Sequence, residues 1–314
     1  MSMKLSMLSL CGLLGSTYAL AQTPAPGQMP GTQRVGETIV DHPSQWYRFE
    51  RHQIDSMDGK RRYRIEISIP RVPSPADGYP VLYMLDGNAA MATLKDEDLA
   101  ALSRSNPPVL VAIGYDVPTR NDVVSRAFDY TLPTYQNGQR VPAQDGRGRE
   151  EGGADIFLDY ITSTIKSLVQ SRTKVNPDKA YLWGHSYGGL FTLHTLFTQP
   201  NAFTRYIVGD PSAWWKDGML VKEWQAFAAD KAAGKRIAIL VGTKPRDPNR
   251  PMPPGRSASS NQTRTANPRA ILGDMAAALR QAGGDATYES FPQYGHGEMI
   301  RVSLERALEI AVQP

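Results

Sequence analysis

Apolar residues along this chain keep two different rhythms. Over residues 46–54 and 62–69 they alternate with polar ones, with Tyr63, Ile65, Ile67 and Ile69 falling on one face. Alternation at period two marks a strand with one buried face. Met57-Asp58-Gly59 lies between the two runs as a turn signal, so the stretch predicts an antiparallel hairpin. Beyond it the alternation stops. Residues 80–85 and 108–114 are continuous apolar runs, as expected of strands covered on both faces. Further strand-like runs at 180–183, 206–208, 237–241 and 285–291 extend the series. Between them the pattern predicts helices over 89–102, 156–169, 224–233, 270–282 and 299–312, with another opening at Leu190. Strands that alternate with helices predict an α/β fold: a mainly parallel central sheet flanked by helices, entered through the antiparallel hairpin.

One turn in this series carries a chemical pattern. Gly184-His185-Ser186-Tyr187-Gly188 is a G-x-S-x-G motif set between the apolar run at 180–183 and the helix that opens at Leu190. Strand, sharp turn and helix are the context in which such a serine becomes an exposed nucleophile, and glycines beside it let strand and helix pass closely. A hairpin feeding a parallel sheet, with this motif near the middle, predicts an α/β-hydrolase fold. One long polar stretch, residues 132–153, interrupts the alternation and holds Asn137-Gly138, Asp145-Gly146 and Gly152-Gly153. Loops of that length are usually functional or disordered. It is read as a lid-like insertion within a catalytic domain spanning 35–314.

Composition narrows the setting. The 314 residues are 41% hydrophobic and 21% charged, with a formal charge of +4, ordinary for a soluble globular chain. The basic excess is spread out, with no Lys/Arg block of the kind that binds nucleic acid. Residues 1–21 read as a signal peptide. Lys4 supplies the charge, residues 5–14 are mostly apolar, and Ala19-Leu20-Ala21 is a cleavage site with the cut before Gln22. The apolar run is too short to span a bilayer, so export without stable membrane insertion is expected. Cys11 opens a lipoprotein alternative, weakened by Leu10 where a small residue is expected. Cys11 is also the one cysteine. A mature chain without it has no disulfide, thiol nucleophile or cysteine metal site. Residues 22–34, rich in Pro, Gly and Gln, read as a mobile linker.

A serine hydroxyl needs a base, and there are five histidines. His42 and His52 precede the parallel sheet. His185, inside the motif, is expected to point away from the site, and His194 to pack within the following helix. His296 sits in Tyr294-Gly295-His296-Gly297, between the last strand and the last helix, where the triad histidine follows serine and acid in chain order. The acid is expected after the strand at 237–241, which makes Asp247 the positional candidate. A solvated turn aspartate before Pro248 reads the same way. Asp285, Glu289 and Glu298 are poorer candidates, and a Ser–His dyad without a third member also fits. The oxyanion hole needs two backbone donors: the N–H of Tyr187, and one from Gly87 or Asn88 after the first buried strand. No metal ligand set and no cofactor is implied.

With these residues in place, the chain resembles the periplasmic siderophore esterases, within the wider esterase-D-like group. Five blocks carry the resemblance in the same order: Leu82-Tyr-Met-Leu-Asp-Gly-Asn88, Ser125-Arg-Ala-Phe-Asp-Tyr-Thr131, Trp183-Gly-His-Ser-Tyr-Gly-Gly-Leu-Phe191, Pro211-Ser-Ala-Trp-Trp215 and Tyr294-Gly-His-Gly297. The resemblance covers nearly the whole mature chain from about Trp46 onward. The resemblance implies a serine esterase acting on the trilactone of an enterobactin- or salmochelin-type catecholate, ferric or apo, in the periplasm. It implies Ser186 and His296 as catalytic residues and an Arg126 that faces this anionic substrate, a charge-assisted contact that is physically sensible. An internal salt bridge from Arg126 to Asp129 is the plainer reading. Trp214 and Trp215 either stack on catechol rings or belong to the core. A general carboxylesterase for acetyl, feruloyl or thioester substrates remains the alternative function, and a non-enzymatic siderophore carrier a more distant one. Oligomeric state is open.

Overall fold

The computed structural model describes residues 30–245 and 270–313. The expected signal peptide, most of the linker and the stretch carrying Asp247 lie outside the described residues. In chain order the strands are β1 (Tyr47–Asp55), β2 (Arg62–Pro70), β3 (Tyr79–Met84), β4 (Val109–Tyr115), β5 (Thr134–Gln136), β6 (Gln139–Val141), β7 (Ala143–Gln144), β8 (Glu150–Glu151), β9 (Val175–His185), β10 (Arg205–Gly209), β11 (Arg236–Gly242) and β12 (Asp285–Phe291). The α-helices are α1 (Gly87–Met91), α2 (Asp96–Leu102), α3 (Ser125–Asp129), α4 (Ala154–Tyr160), α5 (Lys166–Arg172), α6 (Tyr187–Thr198), α7 (Met219–Ala226), α8 (Ala270–Gln281) and α9 (Met299–Ala311). A π-helical segment, Ile161–Ile165, joins α4 to α5.

Eight strands form one sheet in the order β1-β2-β4-β3-β9-β10-β11-β12. β1 and β2 pair antiparallel, as do β2 and β4, and every other neighbour is parallel. This is the α/β-hydrolase arrangement the pattern predicts. The two rhythms in the sequence appear as two kinds of burial. Tyr63, Ile65, Ile67 and Ile69 of β2 all enter one core. The continuous runs feed both faces: Val81 and Tyr83 of β3 and Val109, Val111 and Ile113 of β4 join that core, while Leu82, Met84, Leu110 and Ala112 join the second. Helix α6 packs in the first core, and α1, α2 and α9 pack in the second. Among the described residues no helix is long and apolar enough to cross a membrane.

Several predicted boundaries shift for local reasons. The single helix over 89–102 is two, α1 and α2. The Lys95 N–H donates to the Asp98 carboxylate at 2.8 Å, which starts a new helix whose first turn holds Asp96, Glu97 and Asp98, where acidic residues suit the dipole. The helix over 224–233 starts earlier, at Gly218 in the left-handed region, and ends where Phe227 turns extended. Helix α3 is missing from the pattern because it is one turn long. It is fixed by Asp122, whose Oδ1 accepts the N–H groups of Val124 and Ser125. The end of the expected linker is not loose. Arg34 bridges to Thr119, and the carbonyls of Gly31 and Gln33 accept from Asn121 and Arg120. Loop backbone groups at 118–121 find partners there that they would otherwise take from water.

Residues 132–153 fold as two small hairpins, β5–β6 and β7–β8. Asn137 and Gly138, both at positive φ, form the two-residue turn of the first, a natural site for that pair. The exit of the stretch is tied down: Gly152 N–H donates to Thr131 Oγ1 and Gly153 N–H to the Phe128 carbonyl, each at 2.8 Å. A Cβ at Gly153 would lie 2.1 Å from the Phe128 ring, so any larger residue there has to displace that ring.

Beside α3, Asp129 is 1% exposed and accepts hydrogen bonds from Tyr63 and Tyr115. Arg61 Nε lies 3.1 Å from it as an ion pair, also buried. Removing one member of such a pair strands the other charge in the interior, a loss of about 3–5 kcal/mol. Asp129→Ala is therefore expected to lower the free energy of urea unfolding by that much, whereas Glu150→Ala, whose ion pair with Lys60 is more than half exposed, costs less than about 1 kcal/mol.

Candidate active site

The turn after β9 is built around a close approach. A Cβ at Gly184 would meet the Gly188 carbonyl oxygen at 2.3 Å, and one at Gly189 would meet the Gly209 oxygen at 3.0 Å. Only hydrogens fit at the first of these, so the entry to α6 folds back across the end of its own strand. Gly188 is less constrained, since its nearest neighbour for a Cβ is Leu85 at 3.4 Å. Between them Ser186 takes φ 61° and ψ −114°, a strained conformation for a side-chain-bearing residue. The strain lifts its hydroxyl clear of the sheet at the head of α6.

His296 Nε2 is 3.0 Å from Ser186 Oγ, and its Nδ1 is 2.6 Å from Asp210 Oδ2. Asp210, 2% exposed, immediately follows β10 in Gly209-Asp210-Pro211 and stands at φ 37°. The acid beside His296 stands one strand earlier than the sequence pattern predicts. The pattern points to the loop after β11, where Asp247 lies outside the described residues, while the seat beside His296 Nδ1 is taken by Asp210. The available signal was position: an aspartate directly at the end of an apolar run, one residue before a motif block already singled out at Pro211. What it lacked was the sheet order, which puts β10 beside β9 in register His185↔Gly209.

The loop after β3 faces the same place. A Cβ at Gly87 would press on the β4 backbone at 2.7 Å, so α1 begins hard against the sheet. Asn88 is buried and its side chain is an anchor. Nδ2 donates to the carbonyls of Tyr115, Val117 and Thr119, and Oδ1 accepts the Tyr115 N–H. Its side chain thus fixes the loop whose amides are candidate oxyanion donors. The Tyr187 amide opens α6, where the first-turn N–H groups have no partner within the helix.

Arg126 does not pair with Asp129. Its Nε and Nη2 hold Asp86 Oδ1 and Oδ2 at 2.8 and 2.7 Å, a bidentate fork. The guanidinium lies 5.3 Å from the rings of both Tyr130 and Tyr187, beside the elbow. The Asp86 charge next to it holds its pKa above the usual arginine value despite burial, which acts the other way. The tryptophan pair divides. Trp215 is 3% exposed in the core, with its indole N–H on Glu151, so it has no face to offer a ligand. Trp214 is only partly buried and packs 6.3 Å from the Tyr187 ring.

His185 does not turn away from the site. Its ring lies 4.9 Å from that of His296, and its Nε2 is 2.9 Å from the His296 carbonyl oxygen. A carbonyl accepts only, so His185 donates there and braces the histidine loop. Burial is the main cause that lowers its pKa well below the usual value, and a charge on His296 adds to it. His194 is buried within α6 against Glu223, as expected of a packed histidine.

Comparison with known proteins agrees with this geometry. The profile of a family described as putative esterase matches residues 56–277. The apo-salmochelin esterase of Escherichia coli O6:H1 is 34% identical over 280 residues, which cover 89% of this chain and 84% of that protein. The ferri-bacillibactin esterase BesA of Bacillus subtilis is 31% identical over 273 residues, 84% of this chain and 90% of its own. The solved complex of the enterobactin hydrolase IroE with DFP superposes with a TM-score of 0.71 at 32% identity, covering 88% of this chain and 99% of that one.

His185 gives stability a pH dependence with a definite sign. Unfolded, an imidazole titrates near 6.5; folded, this one titrates well lower. Between the two values the unfolded chain takes up a proton that the folded chain refuses. Stability from this residue is therefore full above about pH 6.5 and falls as pH drops, by up to about 1.4 kcal/mol per unit. Replacing it by glutamine keeps an N–H donor and removes the titration. Urea unfolding of wild type and His185→Gln from pH 7.5 to 5 is expected to show the shallower decline in the variant.

Proposed function

The chain belongs to the putative esterase family, and from that premise we propose that it is an exported serine esterase that hydrolyses the ester bonds of a catecholate siderophore trilactone. The observation that carries the chemistry is the hydrogen-bond chain Asp210–His296–Ser186. The Asp210 carboxylate accepts Nδ1–H, which leaves the Nε2 lone pair facing the Ser186 hydroxyl. Ser186 attacks a lactone carbonyl while His296 takes its proton, and Asp210 stabilises the imidazolium that forms. The Tyr187 amide and an amide of Gly87 or Asn88 receive the tetrahedral oxyanion. On collapse His296 returns the proton to the departing alkoxide, and an acyl-enzyme remains. Water, activated by the same imidazole, then releases a linear product. Opening the ring removes the preorganisation of a hexadentate iron cage, which favours release of the metal that arrives with the substrate.

Relatives named for salmochelin, bacillibactin and enterobactin support the substrate class. Arg126 beside Tyr187 supports it from within the chain. Two of its donor nitrogens are committed to Asp86, so the substrate would meet the other edge of the fork. Trp214 is the tryptophan with surface for a catechol ring. The signal-like N-terminus supports export, with the periplasm as destination.

Hydrolysis of ferric enterobactin, followed by chromatography of the linear products, tests the whole reading. Wild type is expected to cleave it, Ser186→Ala to lose about 10⁴-fold or more in kcat, and Asp210→Asn to lose about 10²–10⁴-fold. Should wild type leave the siderophore intact while still hydrolysing a simple aryl ester, the serine chemistry stands and the general carboxylesterase reading replaces the siderophore one. An Asp210→Asn variant with wild-type kcat would reduce the triad to a dyad.

A further inference from the structure

A second serine touches the reacting atom. Ser212 Oγ lies 3.3 Å from Ser186 Oγ, and Ser212 is 1% exposed. Its position is set by the main chain: its N–H donates to the Ser186 carbonyl at 3.0 Å, and the Ser186 N–H donates to Gly209 at 2.9 Å. The main chain therefore sets Ser212 beside Ser186, and its hydroxyl faces the Ser186 hydroxyl.

The direction of this contact follows from the acid at the far end. Asp210 is an acceptor, so His296 carries its proton on Nδ1. Nε2 is then an acceptor, and the single proton of Ser186 is spent on it. Ser186 Oγ has only lone pairs left to offer, so in the contact between the two hydroxyls Ser212 is the donor. We propose that Ser212 is a further catalytic residue, whose O–H stabilises the charge that develops on Ser186 Oγ.

At 3.3 Å the contact is long for O–H···O, whose usual length is about 2.7–2.8 Å, and in the resting enzyme it is weak. Hydrogen bonds to an oxygen that carries negative charge are shorter and roughly twice as strong. As His296 draws the proton away, Oγ gains charge and the contact tightens. An interaction weak in the ground state and stronger in the transition state is the kind that raises kcat. The same atom is nucleophile in acylation and leaving group in deacylation, so both half-reactions benefit. No proton leaves Ser212: its O–H bond stays intact, and the proton of Ser186 goes to His296 Nε2 and back.

The inference rests on Ser186 as the nucleophile, and the test separates the two. Diisopropyl fluorophosphate reports serine nucleophilicity without any siderophore. Wild type, Ser186→Ala and Ser212→Ala are each treated with it, and the rate of covalent labelling is read by intact mass. Loss of labelling in Ser186→Ala with about a tenfold slower rate in Ser212→Ala supports the proposal, and Ser212→Thr, which keeps a hydroxyl, should recover most of that rate. The main-chain bonds survive all these changes, so a merely structural role predicts equal rates in Ser212→Ala and wild type, and that result overturns the proposal. Labelling that persists in Ser186→Ala overturns the assignment of the nucleophile and the role of Ser212 with it. If alanine disturbs the turn, as seen by thermal unfolding, Ser212→Cys fills the site with a weak donor and must show the same slowing.

Discussion

Two main-chain hydrogen bonds hold the elbow of Ser186 against the turn that carries Asp210: Ser186 N–H to the Gly209 carbonyl, and Ser212 N–H to the Ser186 carbonyl. They continue the parallel pairing of β9 with β10 past the ends of both strands. Ser186 and Asp210 are therefore held in register by sheet geometry, and the positive-φ backbone at each is sustained by bonds on both sides. His296 comes from farther along the sheet, after β12, and needs separate fixing. Asp210 grips its Nδ1 and His185 grips its carbonyl. His296, which comes from the most distant strand of the three, is thus held by two residues that β9 and β10 position.

Much of this was legible in the chain itself. The period-two run through Tyr63, Ile65, Ile67 and Ile69 and the continuous runs around Leu82 and Val111 gave strands in the right places, because burial on one face or two leaves a direct mark on polarity. The close packing of Gly184 likewise belongs to the motif. What could not be read was anything that depends on which strand lies next to which. Asp210 comes 24 residues after the nucleophile (210 − 186), and its role appears only once β10 is set beside β9. The same limit hid His185. Alternation along β9 places it on one face but says nothing of a loop arriving more than a hundred residues later. Trp214 and Trp215 were inseparable for another reason: the turn that follows them has left-handed backbone at Lys216 and Asp217, so no helical or strand period says which ring turns inward.

The block Ser125-Arg-Ala-Phe-Asp-Tyr-Thr131 becomes intelligible as a set of ties. Arg126 holds Asp86, Asp129 takes Tyr63, Tyr115 and Arg61, Tyr130 accepts the Asp86 N–H, and Thr131 receives Gly152. One short helix thereby connects the loop after β3, the antiparallel edge of the sheet and the exit of the inserted hairpins. Glu151 completes the circuit, joining β8 to Trp215 and Lys216 on the loop that follows Asp210. The insertion is therefore bonded to the walls of the site, which gives its sequence a direct route to pocket shape without touching the triad.

These ties also solve an electrostatic problem. Asp86, Asp129, Glu151 and Asp210 are all buried, and a buried carboxylate without a partner would cost stability and repel an anion in a medium that screens poorly. Three of them face cations: Arg126, Arg61 and Lys216. Asp210 instead faces an imidazole, with His296 Nδ1 2.6 Å from its Oδ2. An anionic substrate would meet an Arg126 whose charge is already balanced by Asp86. Its recognition would then rest on the direction of the donors on the fork more than on net attraction, and Asp210 sits behind the imidazole of His296, away from the approach to Ser186 Oγ.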